Sequence, residues 1–336
     1  MVTALSTPNI AFIKYWGNRN AELRLPATDS LSMTLDSPTV EVTIEPADRF
    51  SVQSQKELSP KEVERFKKHL ELTNIYLHSL HYSLPTTNYS LTVRSKIPPA
   101  IGLASSAAVF SAVAKAYAAL LEEQDIRLTD EQVSILARLG SGSAARSIIG
   151  GFVALQTTHY SLQTDAIDSA IAVQIAPASH WPLHDIVICP SLQEKEHGST
   201  EGHHLAHTSP HYAERLLQIP RRQQECIDAI LGGDFEKLQK VAEEDAWDLH
   251  QVAKTSTPSL QYLTEDTHRI TREVTALREA EHVAVLYTID AGPTVHLVCT
   301  EDAVDAVKEF AHAQKDCTVF ETKVWSGARM VEAAHA

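Results

Sequence analysis

Residues 98–107 read Pro98-Pro99-Ala100-Ile101-Gly102-Leu103-Ala104-Ser105-Ser106-Ala107, and an alanine-rich run continues from there to Leu121. Upstream, Tyr89 to Arg94 alternates apolar and polar residues, the period of a strand with one buried face. The alanine run has the composition of a buried helix. A glycine and two serines therefore stand between a strand and a helix start. Glycine lets backbone approach a ligand closely, and unpaired N–H groups at a helix start favour phosphate. The hydroxyls can bind phosphate oxygens or the water shell of a metal ion. A helix start capped by its own serines would carry the same residues. No Gly-Lys-Ser/Thr follows, so this is not a Walker loop.

Outward from that turn, the chain mixes runs of strands with runs of helices. Leu31 to Thr34 and Val40 to Glu45 read as strands, with Val40, Val42 and Ile44 on one face. Ser59 to Leu80 reads as a helix with a capping serine and Pro60 at its first position. Thr129 to Leu139 reads as another, opened by the capping box Thr129-Asp130-Glu131-Gln132. Ile171–Ile175 and Asp185–Cys189 look like a pair of strands, and residues 190–210 like a polar, His-rich, mobile loop. Helices follow through Glu281. Strands at Val283–Asp290 and Thr294–Cys299 flank the turn Ala291-Gly292-Pro293, and a helix from Glu301 to Gln314 leads to a last strand near Cys317–Val324. The pattern is α+β, with mixed or antiparallel sheets layered with helices in two lobes. The expected lobes are residues 1–180 and 181–336, closely associated across a soft boundary.

Other stretches carry chemistry. Gly140-Ser141-Gly142-Ser143-Ala144-Ala145-Arg146 makes an open floor of small residues, with Arg146 a fork suited to a carboxylate. The alternative is a tight helix contact with a surface arginine. Asp290 ends an apolar strand, where a carboxylate either caps the next turn or does chemistry. Lys14 is the only charge in Ile10 to Trp16 and either snorkels or serves an anionic site. His203 and His207 share metal-like spacing, but no Glu sits where HExxH needs its base, so a solvated loop is the expectation.

Composition narrows the classes. The 336 residues carry a formal charge of −14, which argues against nucleic acid or an anionic membrane as partner. No apolar stretch approaches the ~20 residues needed to span a bilayer, and the N-terminus lacks the pattern of a secretory signal. Cys189, Cys226, Cys299 and Cys317 form no CxxC pair, and reduced thiols in a cytoplasmic protein are the simplest reading.

Together the chain resembles the mevalonate diphosphate decarboxylase family, within the small-molecule kinase superfamily of galactokinase, homoserine kinase and mevalonate kinase. The likeness rests on Asn9-Ile10-Ala11-Phe12-Ile13-Lys14-Tyr15-Trp16-Gly17, Asp29-Ser30-Leu31-Ser32-Met33-Thr34-Leu35, Gly102 to Ala107, Arg138 to Arg146, and Asp290-Ala291-Gly292-Pro293. By that resemblance Pro98, Gly102, Leu103, Ala104, Ser105 and Ser106 cradle ATP, with Mg²⁺ carried on the nucleotide near Ser106 and no metal held by the protein alone. Asp290 stands beside the substrate's tertiary hydroxyl as base or orienting group, with Lys14 near it and the transferring phosphate. Arg146, helped by Asn9, holds the C1 carboxylate. Tyr15, Trp16, Asn18, Ser141, Ser143, Lys195 and Ser199 line the substrate pocket. A phosphorylated mevalonate is the implied small-molecule partner, and a homodimer the implied assembly.

The chain departs from the family at the phosphate end of the substrate. The diphosphate enzymes read Lys-Tyr-Trp-Gly-Lys, and Asn18 replaces the second lysine here. Their Pro-x-Asn-x-Ser becomes Pro26-Ala27-Thr28-Asp29-Ser30, and Asp-Ala-Gly-Pro-Asn ends in Thr294. Their Ser-Ser-x-x-Gly-Met becomes Gly198-Ser199-Thr200-Glu201-Gly202-His203. Loss of a lysine and gain of acids shift the expectation to mevalonate 5-phosphate, with the 5-diphosphate as alternative. Arg19, Lys195 or a nearby arginine is left to compensate. A kinase that stops at the 3-phosphate and a non-catalytic ligand sensor are the competing readings.

Overall fold

The computed structural model describes residues 1–84, 88–98, 103–157, 166–190 and 198–331. Gly102 and Lys195 lie outside them, as does part of the expected loop at 190–210. Among the described residues, three larger sheets are layered with helices, which is the α+β arrangement read from the sequence.

The first sheet runs in the order Arg329–Met330, Val2–Ser6, Val40–Pro46, Tyr89–Ser95, Ser51–Ser54. Val40, Val42 and Ile44 are fully buried, as alternation predicts. They pack in one core with helices Pro60–Ser79, Ser105–Glu122 and Asp130–Gly140. Two of those helices open with complete capping boxes, Ser59 with Glu62 and Thr129 with Gln132. The strand Arg329–Met330 brings the end of the chain back onto this sheet.

The second sheet orders Ala170–Ala176, Phe152–Thr157, Ser30–Thr34 and Asn9–Ile13, all antiparallel. The third orders Val285–Thr288, Val295–Thr300, Leu183–Cys189 and Thr318–Lys323. The strands expected at Ile171–Ile175 and Asp185–Cys189 both form, but they lie in different sheets and do not pair. Helices Tyr212–Gly232 and Phe235–Thr255 cover the second sheet. Their Ile219, Ile230, Leu238 and Val241 share a core with Ile10, Phe12 and Leu31.

The His-rich segment is not the loop expected of it where it is described. Ser199–Leu205 is a helix and Ala206–Thr208 a 3₁₀ turn. The polar composition reads as loop because one face is solvated. The other buries Gly202 and Ala206 against Trp16, Leu249 and Tyr262. No helix among the described residues is long and apolar enough to cross a membrane.

Candidate active site

The strand Asn9–Ile13 ends where a cavity of about 830 Å³ opens, and Lys14, Tyr15 and Trp16 follow directly into its wall. The cavity is also lined by Pro98, Leu103 to Ser106, Ser141 to Ser143, Arg146, Ser199 and Asp290.

Lys14 does not snorkel. Its side chain is 2% exposed, and Nζ donates to Asp290 Oδ1 at 2.7 Å and to the Ala11 carbonyl at 2.8 Å. Burial lowers the ammonium from its ordinary value of 10.5, with the charges of Asp290 and Asp245 acting against that shift. Burial opposes ionisation of Asp290 too, but Lys14, His296 and Arg146 outweigh it and hold the carboxyl below 3.8. Among the described residues Asp290 bonds Lys14 rather than a backbone N–H of the following turn. Its side chain, 31% exposed, faces the cavity. Gly292 makes the turn after it possible: its φ is +58°, and a Cβ there would meet the Tyr262 carbonyl at 2.8 Å.

Arg146 is 2% exposed, and among the described residues its side chain bonds neutral groups. Nε donates to Ser32 Oγ at 2.9 Å, NH1 to Ser30 Oγ at 2.5 Å and NH2 to Asn9 Oδ1 at 3.1 Å. Asn9 is itself fixed by donating to Ser147 Oγ and the Ser143 carbonyl. Burial lowers the guanidinium to about 10, and Asp290 and Tyr15 only partly offset it. A buried cation with no carboxylate bonded to it among the described residues, at a cavity wall, suits an anionic ligand.

The helix Ser105–Glu122 starts at the cavity. Its N-cap is Ala104, in the left-handed region at φ 39°, and no side chain caps the helix. Ser105, which is exposed, and Ser106 line the cavity at this start, whose first N–H groups carry no side-chain cap, an arrangement that suits a phosphate. Ser106 Oγ lies 3.1 Å from Ser141 Oγ, joining this start to the small-residue floor. Gly142 must stay small, because a Cβ there would meet the Tyr15 ring at 2.4 Å. These groups fit a nucleotide's phosphates and a magnesium ion carried with them.

Tyr15 donates its hydroxyl to Asn18 Oδ1. Trp16 is buried and, like Tyr15, contacts the His203 ring, at centroid distances of 4.9 and 4.5 Å. His203 Nδ1 accepts from the Gly17 N–H, and burial lowers its imidazole to about 3. His203 is thus a cavity-wall residue, and no group of three possible metal ligands occurs among the described residues.

Several groups escaped the sequence reading. Ser30 and Ser32 belong to a motif of the sequence, but nothing in it marks them as the Arg146 clamp. Asp245 accepts from the Lys14 backbone N–H at 2.7 Å, and Arg215 clasps Asp245 through both carboxylate oxygens at 3.0 and 3.1 Å. More than two hundred residues separate Lys14 from these partners, so no local pattern could announce them.

A family model, the diphosphomevalonate decarboxylase-like N-terminal domain, matches residues 6–167. The mevalonate 5-diphosphate decarboxylase C-terminal domain matches residues 186–333. The chain belongs to the diphosphomevalonate decarboxylase family. The diphosphomevalonate decarboxylase of Candida albicans is 33% identical over 96% of this chain and 93% of that protein. That of Rattus norvegicus is 32% identical over 90% and 78%. The mevalonate diphosphate decarboxylase of Staphylococcus aureus superposes with a TM-score of 0.88 at 27% identity, covering 98% of both chains. A structure of MDDEF with MVAPP, AMPPCP and magnesium superposes with a TM-score of 0.85 at 28% identity over 99% of each. Family membership makes the chain an ATP-dependent decarboxylase with the small-molecule kinase fold.

Proposed function

We propose that this chain decarboxylates mevalonate 5-diphosphate at the expense of ATP, giving isopentenyl diphosphate, CO₂, ADP and phosphate. The observation that carries the reading is the convergence of the Lys14–Asp290 pair, the unpaired Arg146 and the uncapped helix start on one cavity. The relatives' names support the diphosphate as substrate.

The chemistry follows from those groups. ATP supplies the phosphoryl group that turns the C3 hydroxyl into a leaving group. Asp290, held ionised, accepts or orients the hydroxyl proton, and Lys14 neutralises charge on the transferring phosphate. Phosphate leaves with the C3–O electron pair, and the electrons of the C1–C2 bond then form the C2–C3 double bond as CO₂ departs. Arg146 fixes the carboxylate so that its breaking bond lines up with the developing empty orbital. Ser141 and Ser143 line the floor beneath.

Arg146→Lys should raise the KM for the mevalonate substrate by about tenfold or more and lower CO₂ yield, leaving the KM for ATP unchanged. Lysine keeps the charge but loses the fork that Ser30, Ser32 and Asn9 orient. An unaltered substrate KM and CO₂ yield would put Arg146 outside the substrate's reach.

The monophosphate preference expected from the sequence finds no support in the relatives' names. It stays as a second reading on one observation: Asn18, where the diphosphate enzymes have lysine, offers a neutral amide already engaged by Tyr15. A coupled ADP-release assay with mevalonate, its 5-phosphate and its 5-diphosphate tests both. The highest kcat/KM should fall to the diphosphate. A higher value for the 5-phosphate would establish the second reading, and turnover of neither would defeat both.

A further inference from the structure

Asp185 and His296 interrupt an apolar face of the third sheet. That face turns to the second sheet, where Leu183, Leu286 and Val298 share a core with Ile10, Phe12 and Leu31. By alternation along Leu183–Cys189 and Val295–Thr300, Asp185 and His296 stand on the same side. They are 0% and 2% exposed, and His296 Nδ1 donates to Asp185 Oδ2 at 2.7 Å.

A core histidine paired for stability is the ordinary explanation, and it fits poorly. A buried charged pair holds its own against apolar residues only when its remaining polar atoms are also satisfied. Here His296 Nε2 and Asp185 Oδ1 are buried with no hydrogen-bond partner among the described residues. Position supplies another reason. In the ladder between Val285–Thr288 and Val295–Thr300, His296 stands opposite Thr288, two residues before Asp290. Thr288 Oγ1 donates at 3.2 Å to the Ala11 carbonyl, the same group that accepts from Lys14 Nζ. The buried pair thus backs the Lys14–Asp290 pair, and neither Asp185 nor His296 lines the cavity.

The reaction gives such a backing a task. ATP and a phosphorylated mevalonate each bring several negative charges into the cavity, and these oppose ionisation of Asp290. Lys14 answers them from the cavity wall, where the transferring phosphate shares its charge. A cation beyond the substrates' reach is not drawn off in that way. We propose that His296, held by Asp185, is a positioning residue that sets positive charge behind Asp290 and keeps it a carboxylate while the substrates are bound. The inference rests on Asp290 being the group that takes or orients the hydroxyl proton. Burial opposes the charge of Asp290, and Lys14, then His296, then Arg146 act against burial. His203 also faces Asp290, and burial lowers it to about 3, so it is neutral there. Asp245 acts on Lys14. Around His296 itself, Leu183–Cys189 brings Asp185 and Cys189, and Thr318–Lys323 brings Thr322, which bonds Asp36 at 2.7 Å. The facing strands Asn9–Ile13 and Ser30–Thr34 carry no ionisable side chain.

The test replaces the pair by apolar residues, Asp185→Val together with His296→Leu, a kind of change that is often neutral or stabilising. kcat is followed from pH 8 to pH 5, beside thermal midpoints and both KM values. Asp290 sits below its ordinary value, so removing a cation raises it and moves the loss of its charge to higher pH. Wild-type kcat should stay level over that range. The double variant should lose about tenfold by pH 5, with both KM values at pH 8 within about twofold of wild type. His296→Lys, which restores a charge beside Asp185, should stay level. A level profile in the double variant overturns the proposal, as does a loss equal at every pH, which would make the pair structural. Asp185→Asn, nearly isosteric, stands in should the double variant not fold. The same acid limb is expected of it, and a level profile there overturns the proposal equally.

Infrared difference spectra against Asp290→Asn read the carboxyl without turnover, and so separate this proposal from the function itself. The protonated Asp290 band should appear at higher pH in the double variant than in wild type. Coincident titrations overturn the role of His296. A displaced band in an enzyme that turns over no mevalonate phosphate would uphold that role while the function fell.

Discussion

Asp290→Asn should lower kcat by about 10²–10⁴-fold, the usual cost of losing a general base, while the fold and the KM for ATP persist. The amide keeps the size of the carboxylate but can neither take the hydroxyl proton nor balance the Lys14 ammonium 2.7 Å away. The pH profile adds an independent check. Because Lys14, His296 and Arg146 together outweigh burial, Asp290 ionises below the ordinary 3.8, and its charge is lost only as pH falls through that lower value. Activity should therefore show no acid limb from Asp290 between pH 5 and 8. On the alkaline side, burial of Lys14 should bring a limb in below 10.5. A folded Asp290→Asn enzyme with near-normal kcat would remove Asp290 from the reaction.

Asp245→Ala should destabilise the protein by about 1–3 kcal/mol, the cost of leaving buried donors unsatisfied, because Asp248 still pairs with Arg215. Asp245 is fully buried and Arg215 is 1% exposed, so water cannot replace the lost contact. Asp248 would remain on Arg215 NH1 at 2.8 Å, while NH2 would keep only the Lys14 carbonyl at 3.3 Å. The same change strips the acceptor from the Lys14 backbone N–H, so kcat should fall even where the variant is folded. Asp245→Asn, which keeps one oxygen, should lose less of both. Urea midpoints and kcat measured together check this, and a variant as stable and active as wild type would show that the clasp does not hold Lys14.

The parts of the fold that the sequence announced are those with local causes. Capping boxes at Ser59 and Thr129 act within three residues, and Val40, Val42 and Ile44 alternate because one face meets a core. The strand Phe152–Thr157 escaped because its apolar run, buried on both faces at its start, has no alternation to read. The helix Ser199–Leu205 escaped because its buried residues are small and its exposed ones polar. Of the site, Lys14, Arg146 and Asp290 were legible as charges among apolar or small residues. The groups that orient them were not. Ser30 and Ser32 on Arg146, and Asp245 and Arg215 on the Lys14 backbone, act across more than a hundred residues of chain, and each alone is an unremarkable polar side chain.

The central claim is that one cavity couples phosphoryl transfer to loss of CO₂. Its most direct test incubates the enzyme with ATP and mevalonate 5-diphosphate labelled at C1, counting released CO₂ against ADP formed. The account predicts one CO₂ for each ADP, with both nearly abolished by Asp290→Asn. ADP accumulating without CO₂ would make the protein a 3-kinase and contradict the role assigned to Arg146.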